Sequence, residues 1–414
     1  MFPGEVEDGR VWTYDHEADA YYYHRFYPFQ PDLNLANPAV REEIYKIAKF
    51  WLELGVAGFR VDAATLMIQS KHPDAEAPDD PHDVLRDLKR HVVERRSDGV
   101  LLAEADDEPR ELRSYFGDGD EMDLLMNFQL NAHLVAALAT ESVSPLLEGL
   151  ERTPYAPSGS WANFLRNYDE LNLGSLDEST REEVFERFAP EGDMRIYGRG
   201  IRRRLAPMLD GDPKRIELAF SLLFSMPGTP LFLYGDEIGM GENLSLPGRR
   251  SVRTPMQWDD RPNGGFSTAP AGDLVTPVVD EGPFGFDRLN VAAQRADPDS
   301  LLNWTERLVA TRRAAHEIGT NPCEPIETGT ASVFAHRYRG DERTIAFVHN
   351  LADEPASVSV ALEPERADSV QHVFGAGECT PRGDTTAVDL DPYGFVWFEI
   401  HRDDAVEGDG DETG

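Results

Sequence analysis

Apolar residues recur at helical spacing at Val40, Ile44, Ile47, Ala48, Trp51 and Leu52. Asn37 offers a side-chain cap, Pro38 a preset first helical position and Gly55 a stop, so the spacing predicts a helix between them. Residues 56–61 follow as a short, mostly apolar run ending at Asp62, the pattern of a buried parallel strand with a polar residue at its C-terminal end. The alternation then repeats. Residues 82–96 read as a helix and 100–103 as a strand ending at Glu104. Residues 124–128 are a further strand before a helical stretch over 130–140, and 161–165 lead into Asn167 and Asp169. Asp212-Pro213 opens a helix through Phe224, followed by a predicted strand over 230–234 and by Gly235, Asp236 and Glu237. Five strand-like runs alternating with helices imply a parallel sheet. Acidic or amide side chains at or just past their C-terminal ends point to an α/β fold of the (β/α)8 TIM-barrel type, whose active sites form on that face.

From about residue 320 the period changes to strict alternation, as in Ser332-Val333-Phe334-Ala335-His336 and Thr344-Ile345-Ala346-Phe347-Val348. No strong helical period accompanies it, which predicts a separate antiparallel β-sandwich. Residues 403–414 are almost all Asp, Glu and Gly and read as a disordered acidic tail.

Charge changes the picture next. The 414 residues carry 76 acidic against 40 basic side chains, a net −36, and the lysines are confined to Lys46, Lys49, Lys71, Lys89 and Lys214. Such a surface repels nucleic acid and anionic membrane, and its self-repulsion expands the fold where salt is too dilute to screen it. A halophilic, high-salt interior is the expectation, with neither nucleic acid nor membrane as a partner. Cys323 and Cys379 are the sole cysteines, too few for a disulfide-built scaffold, although one bridge between them is open. No run of about 18 apolar residues and no signal-like start is present, so a soluble, cytoplasmic protein is expected.

The candidate chemistry sits in three motifs: Gly58-Phe59-Arg60-Val61-Asp62-Ala63, Ala103-Glu104-Ala105 and Arg166-Asn167-Tyr168-Asp169. An Asp after an apolar strand is often a helix N-cap, and a Glu there a surface ion pair. Their joint order and spacing, however, resemble three signature motifs of the α-amylase superfamily, glycoside hydrolase family 13. Gln30-Pro31-Asp32-Leu33-Asn34 resembles an additional motif at the end of that family's inserted domain, and Tyr234-Gly235-Asp236-Glu237-Ile238-Gly239 its last barrel strand. Within the superfamily, Gly200-Ile201-Arg202-Arg203-Arg204-Leu205-Ala206-Pro207 and Val252-Arg253-Thr254-Pro255-Met256-Gln257-Trp258 resemble the trehalose synthase branch. The second of these is shared with oligosaccharide α-glucosidases.

The resemblance implies a retaining enzyme acting on a small α-glucoside such as maltose or trehalose, with Asp62 as nucleophile, Glu104 as acid/base and Asp169 as the third carboxylate, holding sugar hydroxyls. Arg60 would orient Asp62, two residues on along the same strand face. Asn167, Tyr168 and Arg253 are the remaining candidate substrate-binding residues, with a loop salt bridge as the bland alternative for Arg253. Gln30 to Asn34 would shape the pocket, while His24 and His133 lack ligand-spaced partners and read as structural. Isomerisation of maltose to trehalose by intramolecular glucosyl transfer is the implied activity. Hydrolysis of short α-glucosides, and an inactive or partner-dependent fragment that only binds α-glucan, are the alternatives.

Two departures stand out. Tyr168 occupies the place where the family carries a histidine. The chain also offers only the last five βα units and the end of the inserted domain. Residues 1–36 would be that end, 37–318 the barrel and 319–402 the sandwich. A half-open barrel exposes apolar edges, for which a homo-oligomer or a complementing N-terminal chain is one explanation, and a misassigned start or a gene remnant are the alternatives. Calcium is common in the superfamily, but its ligands come from the inserted domain, most of which is absent, and neither a metal nor another cofactor is predicted.

Overall fold

The computed structural model describes residues 11–68, 80–153, 155–361 and 370–401. The tail predicted over 403–414 lies outside the described residues. Strands β1 (Trp12–Asp15) and β2 (Ala20–Tyr23) form an antiparallel hairpin ahead of helix α1 (Pro38–Glu53). The Asn37 side chain accepts from the Ala39 N–H as the cap predicted for α1. Gly55 ends the turn at φ 99°, a backbone region that residues with a Cβ avoid.

Five parallel strands then follow: β3 (Gly58–Val61), β4 (Val100–Ala103), β5 (Leu124–Met126), β6 (Ser160–Asn163) and β7 (Thr229–Pro230). They lie side by side in the order β7-β6-β5-β4-β3. Helix α2 (Asp83–Val93) connects β3 to β4, α3 (Phe128–Thr140) follows β5, and α4 (Pro213–Ser225) precedes β7. The five-unit α/β reading therefore holds, and the barrel is open: among the described residues no strand pairs with the outer edge of β3 or of β7.

Two differences from the sequence reading have that open edge as their cause. The strand expected over 230–234 is paired only at Thr229 and Pro230; the Leu231 N–H still reaches the Asn163 carbonyl at 2.7 Å, and beyond it no strand among the described residues lies alongside. On α1, Ala48 and Leu52 are buried, but Ile47, Phe50, Trp51 and Leu54 are 58%, 56%, 47% and 64% exposed. An apolar helix face needs a layer to cover it, and the sheet stops at β3.

After helix α5 (Leu301–Ala314) and a short turn of helix at Glu317–Thr320, the elements among the described residues are all β-strands. Strands β8 (Glu324–Ile326), β9 (Val333–Arg339), β10 (Arg343–Asn350), β11 (Ala356–Ala361), β12 (Val370–Gly375), β13 (Glu378–Arg382), β14 (Thr385–Leu390) and β15 (Phe395–His401) form two antiparallel sheets. The larger runs β8-β9-β10-β15-β12 and the smaller β11-β14-β13. Between them lie Val333, Ala335, Ala346, Val348, Val358, Val360, Val388, Val396 and Phe398, the expected sandwich core. The alternate residues Phe334, Tyr338, Ile345, Phe347 and Trp397 belong instead to the same core as Leu218, Leu222 and Phe224 of α4. The larger sheet is thus buried on both faces, which is why its strands carry apolar residues at odd and even positions alike. Buried polar contacts fix the docking, with Ser221 Oγ taking the Trp397 Nε1–H at 2.8 Å and lying 2.9 Å from His349 Nε2. Cys323 and Cys379 are unbridged.

Candidate active site

Asp62 and Glu104 each stand one residue past the end of a strand, and β3 and β4 pair in parallel with Val61 opposite Ala103. Adjacent parallel strands in that register deliver the two carboxylates side by side at the C-terminal edge of the sheet. Backbone bonds lock the register at this edge: Glu104 N–H donates to Val61 O at 2.9 Å and Ala64 N–H to Glu104 O at 2.9 Å. Ala63 turns the chain between them at φ 47°, a left-handed conformation that costs an alanine roughly 1–2 kcal/mol. In that conformation its N–H points to Glu104 Oε2 at 3.3 Å.

One guanidinium bridges the pair. Arg60 donates from Nη1 to Asp62 Oδ1 and from Nη2 to Glu104 Oε2, each at 2.6 Å. Glu104 is mostly buried, and burial is the largest cause pushing its carboxyl up to about 7; the Arg60 charge opposes this, and the nearby Asp62 carboxylate adds to it. Asp62 is much more open, with 63% of its side chain exposed.

The third carboxylate is built differently. Arg166, buried past the end of β6, donates from Nε to the Arg203 carbonyl at 2.7 Å and from Nη2 to the Asp169 carbonyl at 2.9 Å, which fixes the backbone that carries Asp169. Asn167 is also buried, and its side-chain oxygen accepts from the Asp169 N–H at 2.9 Å, so it shapes this turn. Asp169 Oδ1 receives two arginines, Arg249 Nη1 at 3.0 Å and Arg253 Nη2. Arg249 Nε also lies 2.7 Å from Glu170 Oε2, an ion pair by proximity rather than an aligned hydrogen bond. Arg253 Nε donates to the Tyr168 carbonyl at 2.8 Å. The guanidiniums of Arg60 and Arg253 both stand over the Tyr168 ring, each 5.4 Å from its centroid.

Six of the seven residues singled out from the sequence, Arg60, Asp62, Glu104, Tyr168, Asp169 and Arg253, therefore form one contiguous network, while Asn167 supports it from below. Arg249 was missed. Its loop is held by the triple-arginine stretch. Arg202 donates to the Leu244 and Leu246 carbonyls, Ser251 Oγ to the Arg202 carbonyl at 2.8 Å, and Arg204 Nη1 to the Val252 carbonyl at 3.1 Å. These arginines thus act as scaffold for the loop that brings Arg249 and Arg253 to Asp169. Asp32 and Asn34 accept from the Arg25 and Ala36 N–H groups, shaping local turns. Buried His24 sits 2.9 Å from Thr13 Oγ1, and His133 Nδ1 is 2.7 Å from the Gln129 carbonyl.

Comparison with known proteins places this arrangement. The family model described as "Alpha amylase, catalytic domain" matches residues 4–184 and 201–320. The trehalose synthase of Thermus thermophilus is 38% identical over 95% of this chain, which spans 41% of that enzyme's length. The trehalose synthase of Pimelobacter sp. (strain R48) is 35% identical, again over 95% of this chain and 71% of its own. Among solved structures, the α-amylase from H. orenii superposes with a TM-score of 0.71 at 23% identity, covering 96% of this chain and 72% of that one.

Proposed function

Since this chain belongs to the α-amylase family, we propose that it is a retaining α-glucoside-active enzyme that converts maltose to trehalose by moving one glucosyl unit within its site. The observation that carries the reading is the single Arg60 guanidinium bridging Asp62 and Glu104. Two carboxyl groups bonded to one guanidinium stand near each other across the site, as a retaining pair must. In this reading Asp62 attacks the anomeric carbon while Glu104 gives its proton to the departing glycosidic oxygen. The freed glucose turns in place, and its anomeric hydroxyl loses a proton to Glu104 as it displaces Asp62. Asp169 holds hydroxyls of the transferred ring and Arg253 flanks it. Residues 37–318 would be the catalytic unit and 319–402 the appended sandwich.

A second reading, hydrolysis of short α-glucosides, is favoured by the 63% exposure of the Asp62 side chain, because water that reaches the glucosyl intermediate competes with the retained glucose. Incubating the purified chain with maltose in molar KCl, beside an Asp62→Asn control, decides between them. Trehalose that vanishes in the control supports transfer; glucose alone supports hydrolysis; no turnover in the unaltered protein would overturn both.

The net charge of −36 supports a cytoplasmic setting rich in salt. The thermal midpoint should rise by several degrees between about 0.1 and about 2 M KCl, and a flat response would sink the halophilic reading. The edges of β3 and β7, unpaired among the described residues, and the exposed apolar face of α1 further support a partner surface, covered in the working enzyme by additional polypeptide or a second copy. Sedimentation in the same salt series checks this, and a persistent, soluble monomer would count against it.

A further inference from the structure

We infer that Tyr168 is a positioning residue acting through the face of its ring, which fixes the two guanidiniums, Arg60 and Arg253, that orient the three site carboxylates. The inference rests on the retaining reading above and adds the device that holds its charges in place. Arg60 and Arg253 have 28% and 41% of their side chains exposed, enough for a long, hydrated side chain to leave its partner. Each stands 5.4 Å from the same ring centroid, within the range where the negative face of an aromatic ring attracts a cation. On the other side each guanidinium is tied to acid: Arg60 to Asp62 and Glu104, Arg253 to Asp169. The ring is therefore shared by both halves of the network.

The hydroxyl of Tyr168 is not what builds this arrangement, since among the described residues it makes no hydrogen bond with the site. A neutral aromatic face is what both cations meet here. A phenol stays neutral there, its ionisation pushed further up by burial and by the surrounding carboxylates, with only Arg60 opposing. Tyr168 thus gives the network a neutral aromatic platform beside both guanidiniums.

The test reads the proton on Glu104 directly, by the infrared carboxyl band that Glu104→Gln abolishes. The groups facing Glu104 are Arg60, Asp62 and the Ala63 N–H, with Tyr168 close by. Tyr168→Leu removes the ring face and loosens Arg60, so the Glu104 midpoint should move up by roughly half a pH unit, the shift set by losing one partly exposed cation–π contact. Tyr168→Phe keeps the face and should leave that midpoint where it stands in the unaltered protein, whatever happens to turnover. A Phe variant that moves as far as the Leu variant, or a Leu variant that does not move while its thermal midpoint shows it folded, overturns the inference. The retaining reading is checked separately, by mass spectrometry of the unaltered protein after treatment with a fluorinated glucosyl donor. Failure to label Asp62 overturns that reading and leaves the titration to decide the role of the ring.

Discussion

Turnover of maltose should fall by roughly 10²- to 10⁴-fold when Glu104 is replaced by Gln, because the amide keeps the shape of the side chain but has no proton to give. Burial has pushed the Glu104 carboxyl up to about 7, so the unaltered enzyme carries the proton below that pH and loses it above. The sign follows: kcat/KM falls as pH rises through about 7, and this alkaline limb disappears in the Gln variant. An α-glucoside with an acidic phenol as leaving group needs little protonation, so the same substitution should slow its first step far less. Equal losses on both substrates, or an alkaline limb that survives in the variant, would show that Glu104 is not the acid. Arg60 is why the midpoint lies no higher, since its charge opposes the burial that raises it.

The largest stability effect is expected at Arg204. Its side chain is 0% exposed, lies 3.2 Å from Asp236, itself 3% exposed, and stands over the Tyr234 ring at 5.2 Å. It also bonds the Val252 and Tyr234 carbonyls. Removing one member of such a pair leaves a buried charge and stranded carbonyls, so Arg204→Met should cost about 3–5 kcal/mol in urea unfolding. Burial already pushes the Asp236 carboxyl up to about 6, with Arg204 and Arg166 opposing, and without Arg204 it should climb further. A carboxyl whose folded-state pKa lies above its unfolded value favours folding at low pH and loses that contribution as pH rises through the folded value. The variant's deficit should therefore be larger at pH 8 than at pH 5. Replacing Asp236 by Leu together with Arg204→Met should recover part of the loss. A loss below about 1 kcal/mol, or one indifferent to pH, would show that this pair is not what ties the 242–252 loop to the sheet.

Local order was legible because it is set by nearest neighbours. Asn37, Pro38 and Gly55 bounded α1 since capping and left-handed stops act within one turn, and the apolar runs before Asp62 and Glu104 marked strands because both faces of a parallel sheet are buried. Asp62, Glu104 and Asp169 stood out because the motifs that carry them resemble those of a known family, strand-end position alone being compatible with caps and surface ion pairs. Three things were hidden. Arg249 reaches Asp169 across 80 residues, and nothing in its local pattern separates it from Arg250 beside it. The exposed face of α1 carries the same periodicity as a buried one, because period records which residues share a face and not whether anything covers it. The β-sandwich read as a separate unit, yet the second face of its larger sheet packs on α4.

The candidate carboxylates came from a motif resemblance, whereas the sequence by itself determined the helices and strands and their parallel and antiparallel grouping. Those follow from short-range periodicity and from the fixed direction of a βα unit. The tertiary structure alone decided that one guanidinium serves both Asp62 and Glu104, that two arginines converge on Asp169, and that the Tyr168 ring lies beneath a cation from each half. Charge pairing and cation–π contact depend on distances of a few ångströms between residues far apart in the chain, and only packing sets those distances.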